Sequence, residues 1–156
     1  MPDRKMSKHE RIEAFLRSLD SGGPFPACYL AFFSCFNAGD YYEAHDVLEH
    51  LWLECRDANA PFFKGLIQVA GAFVHLKKHH ERPNHPKDGK RLRPAVRLLN
   101  LGLANIRPFS PRHMGLDIDA LRHLCRDMIR RIEASGFSEN PWSPDARPFL
   151  TPPGTE

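Results

Sequence analysis

The stretch that decides the fold is FNAGDYYEAHDVLEHLWLECR, residues 36–56. Asn37-Ala38-Gly39-Asp40 reads as a tight turn that ends one helix and starts the next. Asp40 is a candidate N-cap, and Glu43 three residues on makes a capping box with Asp in the Ser/Thr place. From Tyr41 to about Arg56 the apolar residues recur with helical period. At about 100° per residue, Glu43, Asp46, His50, Glu54 and Asp57 fall on one polar stripe. Tyr41, Ala44, Leu48, Leu51, Trp52 and Cys55 fall on the opposite arc.

The prolines carry this reading outward. The chain has 14 in 156 residues, nearly twice the usual share of about 5%. Proline breaks helix interiors, so the proline-free windows mark the helices. Upstream, Pro26 to Asn37 is an aromatic-rich helix with Tyr29, Phe32, Phe33 and Phe36. Before it, Lys8 to Leu19 is amphipathic, with Ile12, Phe15, Leu16 and Leu19 on one face, and Ser21-Gly22-Gly23-Pro24 stops it. Downstream, Pro61 suits a helix first turn, and a fourth helix runs from Phe62 to about His79. His80 to Arg93 is a polar loop. Pro94 to Ile106 is a fifth helix, ended by Pro108 and Pro111. Asp117 to Ala134 is a sixth, stopped at Gly136. Val, Ile and Thr, the residues strands favour, number only 4, 6 and 2. The expected fold is therefore all-α: a single-domain, irregular bundle of about six helices with no sheet. Residues 1–24 form an N-terminal helix and linker, 25–136 the helical core, and 137–156 a Pro-rich C-terminal tail.

Composition, with 42% hydrophobic and 26% charged residues, is that of a globular domain. The net charge of +3 is unevenly spread. Residues 21–63 carry one base and six acids, residues 64–113 eleven bases and two acids. Either the two segments complement each other, or the second forms a basic binding surface. Cys28, Cys35, Cys55 and Cys125 contain no CxxC pair and read as free, mostly buried thiols in a reducing cytoplasm. The uncharged run Ser21 to Gly39 is too interrupted to span a membrane.

Two polar residues intrude into the apolar arc of the third helix. His45 and Glu49 are four residues apart and share a face; Arg56 lies near the same line. A buried carboxylate needs a partner or a metal. Such a pair reads as metal ligands, as a general acid–base couple, or as a structural hydrogen bond closed by Arg56. On the fourth helix Gln68 and His75 superimpose, with the small residues Gly65, Gly71 and Ala72 around them. If the third helix packs there, His45, Glu49, Gln68 and His75 converge. His45, Glu49 and His75 would then hold one divalent metal ion, with Gln68, Trp52 and Tyr41 lining a ligand pocket. There is no HExxH, no pair of Glu-x-x-His motifs for a di-iron site, and no GxGxxG, GxxxxGK[ST] or GxSxG. Eight bases lie between Lys77 and Arg97 with His79, His80 and His85 among them, but without an aromatic residue for base stacking. Nucleic-acid binding is disfavoured on that ground, and a charged loop between helices is the simpler reading.

Residues 36–52 together with Phe63-Lys64-Gly65-Leu66-Ile67-Gln68-Val69-Ala70-Gly71-Ala72-Phe73-Val74-His75 resemble the domain-of-unknown-function family numbered 309. The family pattern is Phe-Asn, an aromatic, Glu-Ala-His-Glu, Leu-Glu and Trp, then Gly-Leu-Ile-Gln-x-Ala with a His one turn later. Glu43, His45, Glu49, Trp52, Gly65, Gln68 and His75 match it; Asp46 departs where Glu is usual, as does the longer basic loop 80–93. With weaker similarity in the last two helices the resemblance covers about 28–135. It implies a small all-α protein, mainly microbial, and carries no assigned activity.

The leading expectation is thus a cytoplasmic helical protein with a semi-buried His/Glu/Gln pocket for a divalent metal or small ligand, with hydrolytic chemistry open to it. The alternative is a non-enzymatic helical interaction module, a homo-oligomer, in which the His45–Glu49 pair is a packing device. Nucleic-acid binding through 77–97 ranks third.

Overall fold

The computed structural model describes residues 7–19 and 25–154, with the side chains of His9 and of residues 15–19 left out. The expected apolar face at Phe15, Leu16 and Leu19, and the stop at 21–24, lie outside that description. Among the described residues there are six α-helices: α1 Lys8–Leu19, α2 Ala27–Asn37, α3 Tyr41–Glu54, α4 Ala60–Glu81, α5 Leu92–Ile106 and α6 Ile118–Ala134. Single 3₁₀ turns occur at Arg107–Phe109 and Pro144–Ala146.

The expectation of no sheet is corrected. Arg112–His113 and Leu116–Asp117 form a short antiparallel hairpin, β1 and β2, pairing Arg112 with Asp117 and His113 with Leu116. Its two-residue loop has positive φ at both Met114 (47°) and Gly115 (74°), the requirement of a type I′ turn. Methionine rarely adopts that region. Here the Met114 carbonyl is fixed by the Tyr29 hydroxyl, which donates to it at 2.9 Å.

The turn at 37–40 is more compact than a capping box. Gly39 has φ 81°, the left-handed conformation that closes helices. Its N–H reaches Phe36 O at 3.0 Å, and the Asp40 N–H reaches Cys35 O at 2.9 Å. This is a Schellman closure of α2. The Asp40 N–H that Glu43 would need for a capping box is therefore already bonded. Asp40 itself, with ψ 67°, makes no side-chain cap on α3. At the other end α3 stops at Glu54, and Cys55 turns extended. Arg56 thus leaves the helical line of Glu49. Its guanidinium donates to Leu53 O at 3.0 Å and Cys55 O at 3.3 Å, satisfying carbonyls at the helix end.

Helix α4 is the central element, packed against α3 on one side and α5 on another. Its Phe62, Leu66, Val69, Ala70, Ala72, Phe73 and Leu76 are all fully buried. The α4–α5 contact is close because Gly65 faces Gly102: a Cβ at Gly65 would stand 3.1 Å from Gly102 O, and one at Gly102 3.0 Å from Gly65 O. The core is strongly aromatic. Phe36 meets Tyr41 and Phe73 edge-on at 5.1 and 5.3 Å, and Tyr29 meets Phe33 edge-on at 5.0 Å, arrangements that aromatic rings favour.

The segment after α6 returns over this core as a strap. Trp142 and Leu150 are buried. Asn37 grips Leu150 twice, accepting from its N–H and donating to its carbonyl, both at 2.8 Å. Asn140 donates to Leu76 O at 2.8 Å and Arg147 to Ala38 O at 2.8 Å. The last bond places the strap on the 37–40 turn.

Candidate functional site

His45 lies on the α3 face that approaches α4. Its ring reaches to 4.0 Å from where a Gly71 Cβ would stand, so the small residue does admit the third helix. The Gly65 gap is filled instead by α5. His45 is only partly buried. Its Nδ1 is 3.2 Å from Asp46 Oδ1, its Nε2 3.8 Å from Glu49 Oε2, and the Tyr42 ring lies nearly parallel to it at 6.4 Å.

Asp46 is the residue the helical wheel misplaced. It belongs on the polar stripe by angle, yet its side chain is only 13% exposed. Helix α1 covers it: the Lys8 ammonium stands 3.2 Å from Asp46 Oδ1 and 3.8 Å from Glu49 Oε1. Burial works to lower the Lys8 pKa, but the hydrogen bond and charge of Asp46, with the charge of Glu49, outweigh it and hold the ammonium above its usual range. Two α3 carboxylates thus already face a cation, itself half exposed.

His75 points to a different neighbourhood. Arg91 Nη1–H donates to His75 Nδ1 at 3.0 Å. Burial first, then the charges of Arg91 and Lys78, push the His75 pKa below its ordinary value, so the ring is held neutral. Arg91 is in turn bound by Asp88, whose Oδ1 accepts from Nε at 3.0 Å and from Nη2. Asp88 also draws Arg82 to 3.6 Å and His85 to 3.8 Å. The Arg91 backbone N–H donates to His79 Nδ1 at 3.2 Å. The basic segment 82–91 is therefore a compact loop closed on Asp88 and tied to α4, where a loose charged connection was expected.

Gln68 Oε1 accepts from Asn105 Nδ2–H at 2.7 Å, across the α4–α5 contact. Tyr41 is 1% exposed. Its hydroxyl accepts from Trp142 Nε1–H at 2.9 Å, and burial raises its pKa. It lies in the core beneath the strap. Trp52 is half-buried, with the Lys64 ammonium 5.8 Å above its ring. Of the six candidate residues, His45 and Glu49 stand together, while Gln68, His75, Tyr41 and Trp52 each face a separate partner. Among the described residues no group of three or more His, Cys, Asp or Glu side chains is placed to hold a metal ion.

The cysteines are free. Burial raises the pKa of Cys28 to about 11, of Cys35 to about 11 and of Cys125 to about 12, and it also raises that of Cys55. All four are thiols near neutrality, which makes them poor nucleophiles.

Residues 29–84 match the family model described as Domain of unknown function (DUF309). That segment covers α2 from Tyr29 on, all of α3 and α4, and ends in the basic loop. It is just over a third of the chain, and the weaker similarity expected in α5 and α6 lies outside it. No curated protein and no solved structure matches the chain. The DUF309 segment contains every residue whose pattern matched the family. For three of them the partner lies beyond it: Lys8 for Glu49, Arg91 for His75 and Asn105 for Gln68; the same holds of Tyr41, with Trp142, and of Asp46, with Lys8. These partners carry little signal in the sequence, because each contact joins residues at least 16 positions apart.

Proposed function

We propose that the chain is a non-enzymatic helical interaction module. In this reading the polar residues of the DUF309 segment are sockets that fasten the rest of the chain to it. The observation that carries it is the engagement of His75: its Nδ1 lone pair, the one a metal or a proton would need there, is taken by Arg91 at 3.0 Å. Gln68 with Asn105 and Tyr41 with Trp142 repeat the pattern. A partly buried polar side chain paired in this way helps fix which elements dock where. The partner named by this reading is a second copy of the chain. The test combines two measurements on untagged protein. His75→Ala and Gln68→Ala should each lower the melting temperature and leave metal content at background, and sedimentation should give a dimer mass. Stoichiometric metal lost on His75→Ala would overturn the fastening role, and a monomer at every concentration would overturn the homo-oligomer.

A second reading is a divalent-metal or small-ligand site on the His45 face, with His45 and Glu49 as ligands; His75, expected as the third, is engaged by Arg91 instead and is left out of it. It is favoured by one observation, the Lys8 ammonium held between Asp46 and Glu49. A cation is already accepted at this position, and a divalent ion would compete with it. In this reading Lys8→Ala strengthens zinc binding and His45→Ala abolishes it. Zinc titration of the three proteins with the same weak heats would end it.

A further inference from the structure

A cleft of about 570 Å³ lies where the β1–β2 hairpin, the first turns of α6 and the strap meet. This is the size range of small-molecule sites. Leu116, Leu121, Leu124 and Leu150 line it; Leu116, Leu121 and Leu150 are buried. Phe149, on the strap, is 68% exposed and forms one wall. Arg112, on β1, is the basic group of the lining. Its guanidinium donates to Gly115 O at 3.4 Å, a long bond that leaves its planar fork of donors available.

Two features narrow what such a site accepts. First, Asp117 faces Arg112 across the hairpin and lines the same cleft. The Asp117 carboxylate, which caps α6 by accepting from Ala120 N–H at 2.9 Å, repels a polyanion such as phosphate more strongly than a singly charged group, so the anion that Arg112 can draw in is a monoanion. Second, the walls are preformed. Asn37 clamps Leu150 from both sides at 2.8 Å. Pro153 packs so near the hairpin turn that a Cβ on Gly115 would come within 2.9 Å of it. A rigid apolar floor with one cation at its edge matches an amphipathic ligand with one charged end.

We propose that this cleft binds an apolar organic monocarboxylate, with its aryl or medium-chain alkyl body on the leucine floor against Phe149 and its carboxylate on the Arg112 guanidinium. The site is separate from the His45 face and stands or falls without it.

The test is calorimetric titration of the full chain with 4-phenylbutyrate and with octanoate, using the neutral 4-phenylbutanol and inorganic phosphate as controls. Both carboxylates should bind saturably. Arg112→Gln, at an exposed position, should weaken 4-phenylbutyrate by about tenfold or more, the range for loss of a charge-assisted pair, and leave 4-phenylbutanol unchanged. Ala120→Phe, exposed on α6 and projecting into the cleft, should block both carboxylates, and thermal melts of both variants would show that they fold. Phe149→Ala gives a second, solvent-exposed variant that should also weaken binding. The proposal is overturned if neither carboxylate binds at millimolar concentration, if Arg112→Gln and Ala120→Phe bind as the parent does, or if phosphate competes with 4-phenylbutyrate.

Discussion

Replacing Gly65 with alanine tests the helix contact on which the architecture turns. The added Cβ would stand 2.6 Å from Ile106 Cγ2, 3.0 Å from Asn105 Cβ and 3.1 Å from Gly102 O. Carbon atoms rest comfortably at about 3.5–4.0 Å, so α4 and α5 must separate by about 1 Å. No rotamer relieves the backbone carbonyl. Alanine gains about 0.8–1 kcal/mol over glycine in a helix interior. Against this, overpacking costs about 1–3 kcal/mol. Parting the helices also stretches the Gln68–Asn105 hydrogen bond of 2.7 Å, which contributes about 1 kcal/mol net. The expected result is a loss of about 1–3 kcal/mol, or roughly 3–10 °C in melting temperature for a chain of this size. Gly71→Ala is the internal control. There a Cβ meets only side-chain atoms, Leu98 Cδ1 at 3.2 Å and His45 Cδ2 at 4.0 Å, so the helix-propensity gain should leave stability unchanged or raised by about 0.5 kcal/mol. Urea unfolding followed by circular dichroism, at constant m-value, measures both. A Gly65→Ala protein as stable as the parent, or one that loses less than Gly71→Ala, would refute the close approach of α4 and α5.

The remaining predictions concern the strap and the histidines. Tyr41→Phe leaves the buried Trp142 N–H without its acceptor and should lose about 1–3 kcal/mol in denaturant unfolding; a neutral result would mean the indole finds another partner. Asn37→Ala removes both bonds to Leu150 and should lose about 2 kcal/mol, at about 1 kcal/mol per bond, while limited proteolysis begins cutting within 141–154; an unchanged digestion pattern counts against the strap being held there. His75 is held neutral in the fold, whereas in the unfolded chain it protonates at its ordinary pKa of about 6.5. Its contribution is therefore fully present above that pH, and stability falls as pH drops from there towards the lowered folded value. Melting temperature between about pH 7.5 and about pH 5 should fall less steeply in His75→Gln than in the parent, since His79 and His113, also lowered by burial, remain. Identical slopes would remove His75 from the account.

The helices were legible because their signals are local. Pro61 lies in the first turn of α4, Pro108 just past α5 and Gly136 just past α6, and the aromatic period of α2 shows within a dozen residues. The hairpin was not legible, for a physical reason: its strands are two residues each, too short to alternate, and its turn places Met114 where Asn or Asp would advertise a type I′ loop. Arg56 was misread because the angle of a residue on a helical wheel has meaning only while the helix lasts, and α3 ends at Glu54.

The polar residues teach a sharper lesson. A wheel detects that His45 and Glu49 intrude on an apolar arc, but it cannot say what meets them. Intrusion has two causes, a ligand or a distant part of the same chain. At Glu49 what meets the carboxylate is Lys8 of α1, 3.8 Å away. The acidic segment and the basic segment were expected to offset one another if they were not a binding surface. The ion pairs run otherwise: Asp46 and Glu49 face Lys8 from α1, and Arg82, His85 and Arg91 converge on Asp88 within their own loop. Each cluster is balanced by a residue close to it in space, and only the second by one close in sequence. The positive surplus of residues 64–113 is therefore not consumed by those pairs. Exposed Lys78, Lys87, Lys90 and Arg97 keep it at the surface, where it favours solubility and sets the approach of charged partners.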